Sequence, residues 1–460
     1  MKNYINILFI GLFTAITVFF LTFVFLNGFP DISVDSHSLL TFFIILLSLI
    51  FSLQGIFTLV WMLYAWEDPD YVKQHKSPEE FTSQKFSFTA LIPAKNEEKV
   101  IQDTIKAVNK ISYPDELKET LVLCRIGDEG TIAKAQGAIR EINKKNVRLI
   151  LFNSYPINKP HALNNGLKEA KKEIVTVFDA EDQPHPDIYN IANTLLVREK
   201  VDVIQSGIQL INYRSHWFSA LNVMEYFFWF KSGLHFFSKF GKVIPLGGNT
   251  VFIKRNWLEK IGGWDENCLT EDADIGFRLT KIGAKTRVIY DEKHTTQEET
   301  PVDIASFIKQ RTRWNQGFLQ IFLKNEWSKL PKTRQKITAV YVLLSHQIQT
   351  FFLLYIPFAI WFAFTQKMPI IVSLFSFVPF FLFLLQIVTF IVGFYEFTKA
   401  YKQKFTFWML IKIIITFYPF QLLLMISSFR ALYRVIFSQN AWDKTLHTNA
   451  HRGMVGVSIT

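Results

Sequence analysis

The feature that most constrains this chain is where its charges are missing. Residues 4–27 and 38–65 are almost free of charge, and each run exceeds the roughly 20 apolar residues a helix needs to cross a bilayer. After a polar centre, apolar blocks recur at 337–364, 369–395 and 406–437. Half of all residues are hydrophobic and 47 are Phe, which excludes an ordinary soluble enzyme. The pattern predicts two membrane helices within 1–65, a polar domain over 66–332, further membrane helices over 333–437 and a polar tail over 438–460. The first run follows a lone Lys2 in the manner of a secretory signal, but its apolar part is too long and no small-residue cleavage site follows.

The loop "NGFPDISVDSHS" carries Asp and no Lys or Arg, whereas lysines crowd the segment after Trp66. The positive-inside rule therefore places the polar domain in the cytoplasm and makes the chain an integral protein of a membrane, a bacterial plasma membrane on this reading. The connector "EFTKAYKQKF" belongs to the same side. The last block holds Lys412 and Pro419 and ends in Arg430 and Arg434. A single crossing would leave the tail outside; a broken or re-entrant pair would return it to the cytoplasm, the reading preferred here. The net charge of +11 is explained by lysines flanking spans in contact with membrane lipids, so no nucleic-acid partner is expected. Cys124 and Cys268 lie in the polar domain, where a reducing compartment disfavours a disulfide.

Within 66–332, apolar runs alternate with helical patterns. "FSFTALIP", "ETLVLCRI", "VRLILF", "EIVTVF" and "VDVIQSGIQL" read as strands. Helices are predicted over "EEKVIQDTIKAV", with Val100, Ile101, Ile105 and Val108 on one face, and near 131–144, 161–171 and 187–198. Such alternation implies an α/β domain, a mostly parallel sheet with helices on both faces. Ligands then gather beyond the carboxyl ends of the strands, where "PAKNEE", "RIGDEGT" and "DAEDQP" converge. No Gly-rich dinucleotide fingerprint or phosphate-cradling loop is present in this stretch.

Three constellations carry chemistry. Asp179, Glu181 and Asp182 end an apolar strand, and carboxylates that close disfavour one another's ionisation unless something positive joins them. They suit Mg2+ or Mn2+, ions that take their remaining ligands from phosphates and water; the bland reading is an acidic turn before the helix near Asp187. In "TEDADIGFRLTKIG", Thr270 reads as a helix N-cap with Glu271 and Asp272 in the first turn, an arrangement that capping alone also explains. In "SFIKQRTRWNQG", Gln310, Arg313, Trp314 and Gly317 share one helical stripe while Arg311 points elsewhere, fit either for gripping a diphosphate and stacking a sugar or for lying at a membrane surface. The aromatic segment "YRSHWFSALNVMEYFFWFKSGLHFFSK" is too polar to span and reads as an interfacial helix.

Taken in order, "PAKNEE", "DEGT", "NKPHALNNGL", "DAED", "GGNT", "TEDADIG" and "QRTRW", flanked by apolar spans, resemble the family-2 inverting glycosyltransferases of GT-A fold. The branch is similar to the bacterial membrane synthases of surface polysaccharide, relatives of cellulose and hyaluronan synthases, and "RALYRVIFSQNAWDKTLH" is similar to a terminal motif of that branch. The resemblance implies a nucleotide-sugar donor, a polysaccharide or lipid-linked acceptor and a divalent metal. By it, Pro93, Ala94, Asn96 and Glu97 line the nucleotide pocket, Asp128 lies near the uracil or ribose, and Lys159 near the diphosphate. Asp179 and Glu181, with Asp182 as an alternative, hold the metal. Asp272 is the general base, Arg313 binds the diphosphate, and Gln310, Trp314, Glu271 and Gly248 lie beside the acceptor. Departures are Glu181 at the second metal position, "CRIGDEGT" around Asp128, and Asn158 where a glycine is common. A single displacement would turn an α-linked donor into a β-linked product. The competing functions are a transferase that adds one sugar to a membrane lipid, and a transporter, which would leave the acidic set without purpose.

Overall fold

The computed structural model describes residues 37–365, 370–440 and 452. The predicted span at 4–27 lies outside the described residues.

The polar domain is built on a seven-stranded sheet in the order β3 (Val147–Phe152), β2 (Lys118–Arg125), β1 (Phe88–Ala94), β4 (Ile174–Val177), β7 (Val251–Lys254), β5 (Val203–Gln205), β8 (Thr286–Val288), with a two-stranded sheet of β6 (Ile208–Leu210) and β9 (Thr296–Glu298) beside it. Strands β1 (Phe88–Ala94), β2 (Lys118–Arg125), β3 (Val147–Phe152) and β4 (Ile174–Val177) run parallel. These short runs of β-branched and aliphatic residues are buried on both faces in β1, β2 and β4, as a helix-covered parallel sheet requires. Helices α1 (His37–Glu67), α2 (Ile101–Asn109), α3 (Glu129–Ile142), α4 (Lys159–Glu169) and α5 (Ile188–Glu199) follow in chain order, α1 preceding the domain and the others connecting its strands. Helix α2 buries Ile101, Ile105 and Val108, and its N-cap Val100 is buried with them, as the spacing predicts.

Two features of the sheet depart from expectation. The run predicted as one strand over "VDVIQSGIQL" breaks at Ser206–Gly207 into β5 (Val203–Gln205) and β6 (Ile208–Leu210), which enter different sheets. Gly207 permits the break: a Cβ there would lie 2.8 Å from the Tyr290 ring. Strand β7 (Val251–Lys254), which sequence reading did not foresee, inserts antiparallel to both β4 and β5, making the sheet mixed. β8 (Thr286–Val288) closes the edge, and β9 (Thr296–Glu298) pairs with β6.

The aromatic segment is helical without a break over 219–241, though not as a regular α-helix. α6 (Ser219–Phe228) gives way to π-helical turns over Trp229–Gly233 and Phe237–Gly241. Its apolar side chains Leu221, Val223, Met224, Phe227 and Phe228 are buried in protein between the domain and the apolar helices, where the expectation had aromatics at headgroup level. Helix α7 (Glu271–Lys281) and the long α8 (Ile304–Lys324) complete the domain.

Among the described residues, four helices are long and apolar enough to cross a bilayer: α1, α9 (Thr333–Thr365), α10 (Ile370–Ala400) and α11 (Phe407–Ile436). α11 continues unbroken through Pro419, yet both its ends rest on the domain. Lys412 Nζ donates to the His216 carbonyl at 3.4 Å, and just past the other end Gln316 of α8 donates to the Gln439 carbonyl at 2.7 Å. The chain just past α11 is thus held against the domain, and α11 is one helix rather than a broken pair. Arg452 in the tail also reaches the domain, donating to the carbonyls of Glu181 at 3.1 Å and Asp182 at 3.0 Å. Cys124 and Cys268 are both free and buried.

Candidate active site

The carboxyl ends of β1 and β4 open onto a cavity of about 450 Å³, within the range of small-molecule sites. After β1 the backbone turns through Asn96 at φ 53°, the left-handed region that Asn tolerates better than most residues. Asn96 N–H donates to Asp128 Oδ2 at 2.6 Å, and Asp128 Oδ1 accepts from Thr131 N–H at the start of α3. Asp128 therefore ties a loop to a helix cap, and neither it nor Asn96 lines the cavity, whereas Pro93, Ala94 and Glu97 do.

The acidic turn follows β4. Asp179 and Glu181 face the cavity. Asp182 turns inward instead: its Oδ2 accepts from Asp179 N–H at 2.7 Å and its Oδ1 from Asn249 Nδ2 at 2.9 Å. It shapes the turn and stands behind the pair at the cavity. Glu298 of β9 completes this wall, hydrogen-bonded to Asn249. Burial first, then Asp179, Glu97 and Glu298, holds Glu181 well above the usual carboxylate range. Burial and then Asp179 push Glu298 up to about 7. A wall of buried and half-buried carboxylates that oppose one another's charge is the donor set a hard divalent cation requires.

The opposite wall begins at α7. Thr270 occupies the N-cap position, but its hydroxyl makes no cap hydrogen bond. Glu271 and Asp272 in the first turn line the cavity. Burial first, then Asp272, pushes Glu271 up to about 7, with Lys159 and Arg313 pulling the other way. Asp272 is also raised by burial, offset by Lys159 and Arg313. Lys159, the first residue of α4, joins the two walls: it pairs with Asp179, lies 3.9 Å from Glu271 and donates to the Gly248 carbonyl at 3.1 Å. Burial pulls Lys159 down, but Asp179, Glu271 and Asp272 outweigh it and the net shift is upward. Gly248 leaves room at this junction: a Cβ there would sit 3.2 Å from Asp272 Oδ2.

Helix α8 supplies the rest. Asp303 caps it by accepting from Ser306 N–H at 2.6 Å. Gly317 lets it approach α7 closely, since a Cβ there would collide with Thr270. That contact brings Arg313 within electrostatic reach of Glu271 and Asp272. Gln310, Arg313 and Trp314 line the cavity together, as the stripe predicts. Arg311, expected to point elsewhere, also lines it: its guanidinium stacks 4.2 Å from the Trp314 ring centre and pairs with Glu225 at 2.7 Å. Beyond Trp314 the cavity continues between the apolar helices, past Gln54, Thr58, Ser345, Gln349, Gln386 and Gln421.

Residues 85–317, slightly more than half of the chain, match the family described as "Glycosyltransferase like family 2". The chain belongs to that family. Among relatives of this family-2 glycosyltransferase, the beta-monoglucosyldiacylglycerol synthase of Nostoc sp. is 29% identical over 249 residues, covering 53% of this chain and 51% of that one. The poly-beta-1,6-N-acetyl-D-glucosamine synthase of Staphylococcus epidermidis is 24% identical over 267 residues, covering 58% and 62%. The chain thus spans about half to three fifths of the length of the curated relatives it matches. A mannosyltransferase from Pyrobaculum calidifontis, solved with GDP-Man and Mn2+, superposes with a TM-score of 0.55 at 15% identity, over 85% of this chain and 99% of that one. This likeness shows the GT-A fold.

Sequence reading of the family-2 glycosyltransferase missed Glu298, Asn249, Arg311 and Glu225. "TTQEETP" offers a signal for Glu298, a carboxylate pair after a strand-forming run. Asn249 lies in "GGNT", where the glycines are the stronger signal. Arg311 and Glu225 have none, because their pairing joins segments 86 positions apart.

Proposed function

We propose that this family-2 glycosyltransferase is an inverting, metal-dependent enzyme embedded in the bacterial plasma membrane. On this reading its cytoplasmic domain moves a sugar from a nucleotide donor, UDP-linked, onto a growing β-linked surface polysaccharide. The observation that supports it is one cavity with carboxylates on both walls and a cation between them, which continues along amide and hydroxyl side chains between the apolar helices. That continuation suits a chain of sugar hydroxyls.

Asp179 and Glu181 fit Mg2+ or Mn2+, with Glu298 beside them and Asp182 holding their turn. The superposed mannosyltransferase was solved with Mn2+. Such an ion, when bound, would neutralise charge on the leaving nucleoside diphosphate. Lys159 and Arg313 add fixed positive groups that need no reorganisation as charge develops. Asp272 accepts the proton of the acceptor hydroxyl while that oxygen attacks the anomeric carbon from the face opposite the leaving group. Lys159 and Arg313 oppose the burial that raises Asp272, which favours the ionised form a base needs. Trp314, backed by Arg311, offers a flat surface to the acceptor sugar, with Gln310 and Gly248 beside it.

A second reading, transfer of one sugar to a diacylglycerol or polyprenyl acceptor, is favoured by the apolar side of the same passage, where Phe228, Phe390 and Leu424 lie. The test is product length after incubating membranes with labelled nucleotide sugars. Polymer supports the first reading, and a single sugar on lipid replaces it with the second. No transfer from any donor sinks both.

A further inference from the structure

Outside the cavity, three side chains from two loops converge. His185 and Asp187 follow the acidic turn, and His294 lies between β8 and β9. One ligand atom from each falls within 4.8 Å of the other two. The imidazole rings meet edge to face with centroids 4.5 Å apart. Nδ1 of His294 stands 3.3 Å from Oδ2 of Asp291, so its N–H donates there and Nε2 is left as a ligand. A carboxylate orienting an imidazole in this way is the usual outer support of a metal-bound histidine.

We propose that His185, Asp187 and His294 form a second metal site, for a borderline-soft divalent ion of the Zn2+ class. Imidazole selects such ions over Mg2+, and three protein ligands leave a fourth position for water. Nδ1 of His185 accepts from Asp187 N–H at 3.1 Å; ligation through Nε2 would release the proton that this tautomer carries, as metal binding commonly does. The two loops are already joined by reciprocal hydrogen bonds between the backbones of Gln183 and Gln297, both 3.1 Å. Gln183 adjoins the acidic turn and Gln297 adjoins Glu298. An ion at the histidines would staple the two strands of carboxylates that build one wall of the cavity.

The experiment uses the full chain in detergent, stripped with a chelator and dialysed against Zn2+ in excess Mg2+, with zinc counted by elemental analysis. The expected result is about one zinc per chain, kept in Asp179→Asn and lost in the double variant His185→Gln, His294→Gln. Asp291→Asn should bind zinc roughly 10- to 100-fold more weakly. Zinc retained by the double variant, lost in Asp179→Asn or absent from the wild type would overturn the proposal. Thermal unfolding without zinc shows whether the double variant folds; if it does not, the Asp291→Asn affinity decides, and an unchanged value overturns the proposal. The outcome is independent of the glycosyl-transfer reading, because zinc retention is measured without turnover.

Discussion

The two walls of the cavity are both acidic and both partly withdrawn from solvent, yet they are compensated differently. Around Asp179 the neighbours that raise Glu181 are other carboxylates, and at Glu298 the effect of Asp179 is opposed by Asn249 and Lys159. Around Asp272 two cations, Lys159 and Arg313, oppose the effect of burial. Walls of the same sign therefore serve different ends. The first keeps carboxylates that oppose one another's charge even with Lys159 paired to Asp179, and the second sets Lys159 and Arg313 against the burial that raises Asp272.

The largest expected effect breaks the first wall. Chelating divalent metal, or changing Asp179→Asn, should lower sugar transfer at least ~10³-fold, the several kcal/mol a metal contributes to a departing diphosphate; added Mn2+ should rescue the chelated wild type only. Breaking the second wall with Asp272→Asn should cost about 10²- to 10⁴-fold in kcat, the span of general-base catalysis, with donor KM little changed in steady-state assays. Arg313→Ala should cost on the order of 10²-fold, as loss of one preorganised positive group does, and Arg313→Lys should recover part of it.

A smaller effect sharpens the contrast through pH. Glu298 and Glu271 are raised to about 7 in the folded chain, above their ordinary value. The folded state therefore binds more protons than the unfolded one between pH ~4.5 and ~7, and stability falls as pH rises across that window. Without metal, Tm should be lower at pH 8 than at pH 5, and added Mg2+ should raise it more at pH 8. A Tm without metal that rises over that range would contradict the compensation described. The smallest change tests how the second wall is placed: Gly317→Ala should destabilise by about 1–3 kcal/mol in denaturant unfolding, because a methyl must enter the contact with Thr270.

Much of this was legible in local sequence. The parallel strands β1 to β4 announce themselves as apolar runs, and the stripe of Gln310, Arg313 and Trp314 follows from helical spacing. What escaped was set by distant contacts. β7 is four residues long and takes its direction from β4 and β5 on either side. The break at Gly207 depends on Tyr290 and Thr295. Asp182 looks like a metal ligand beside Asp179, and only the fold shows it turned to Asn249 and a backbone N–H. Asp128 likewise accepts from the Asn96 and Thr131 backbone N–H groups, contacts that local sequence does not announce. α11 reads as a span by composition, while its ends are held by His216 and Gln316, residues no hydropathy profile connects to it.

The division of labour between the walls is tested most directly by Mn2+-dependent binding of UDP to the purified chain, compared between Asp272→Asn and Asp179→Asn by calorimetry. Near wild-type binding in the first variant and loss of the metal-dependent part in the second is the predicted result. Equal loss in both, or binding that survives Asp179→Asn, would contradict it.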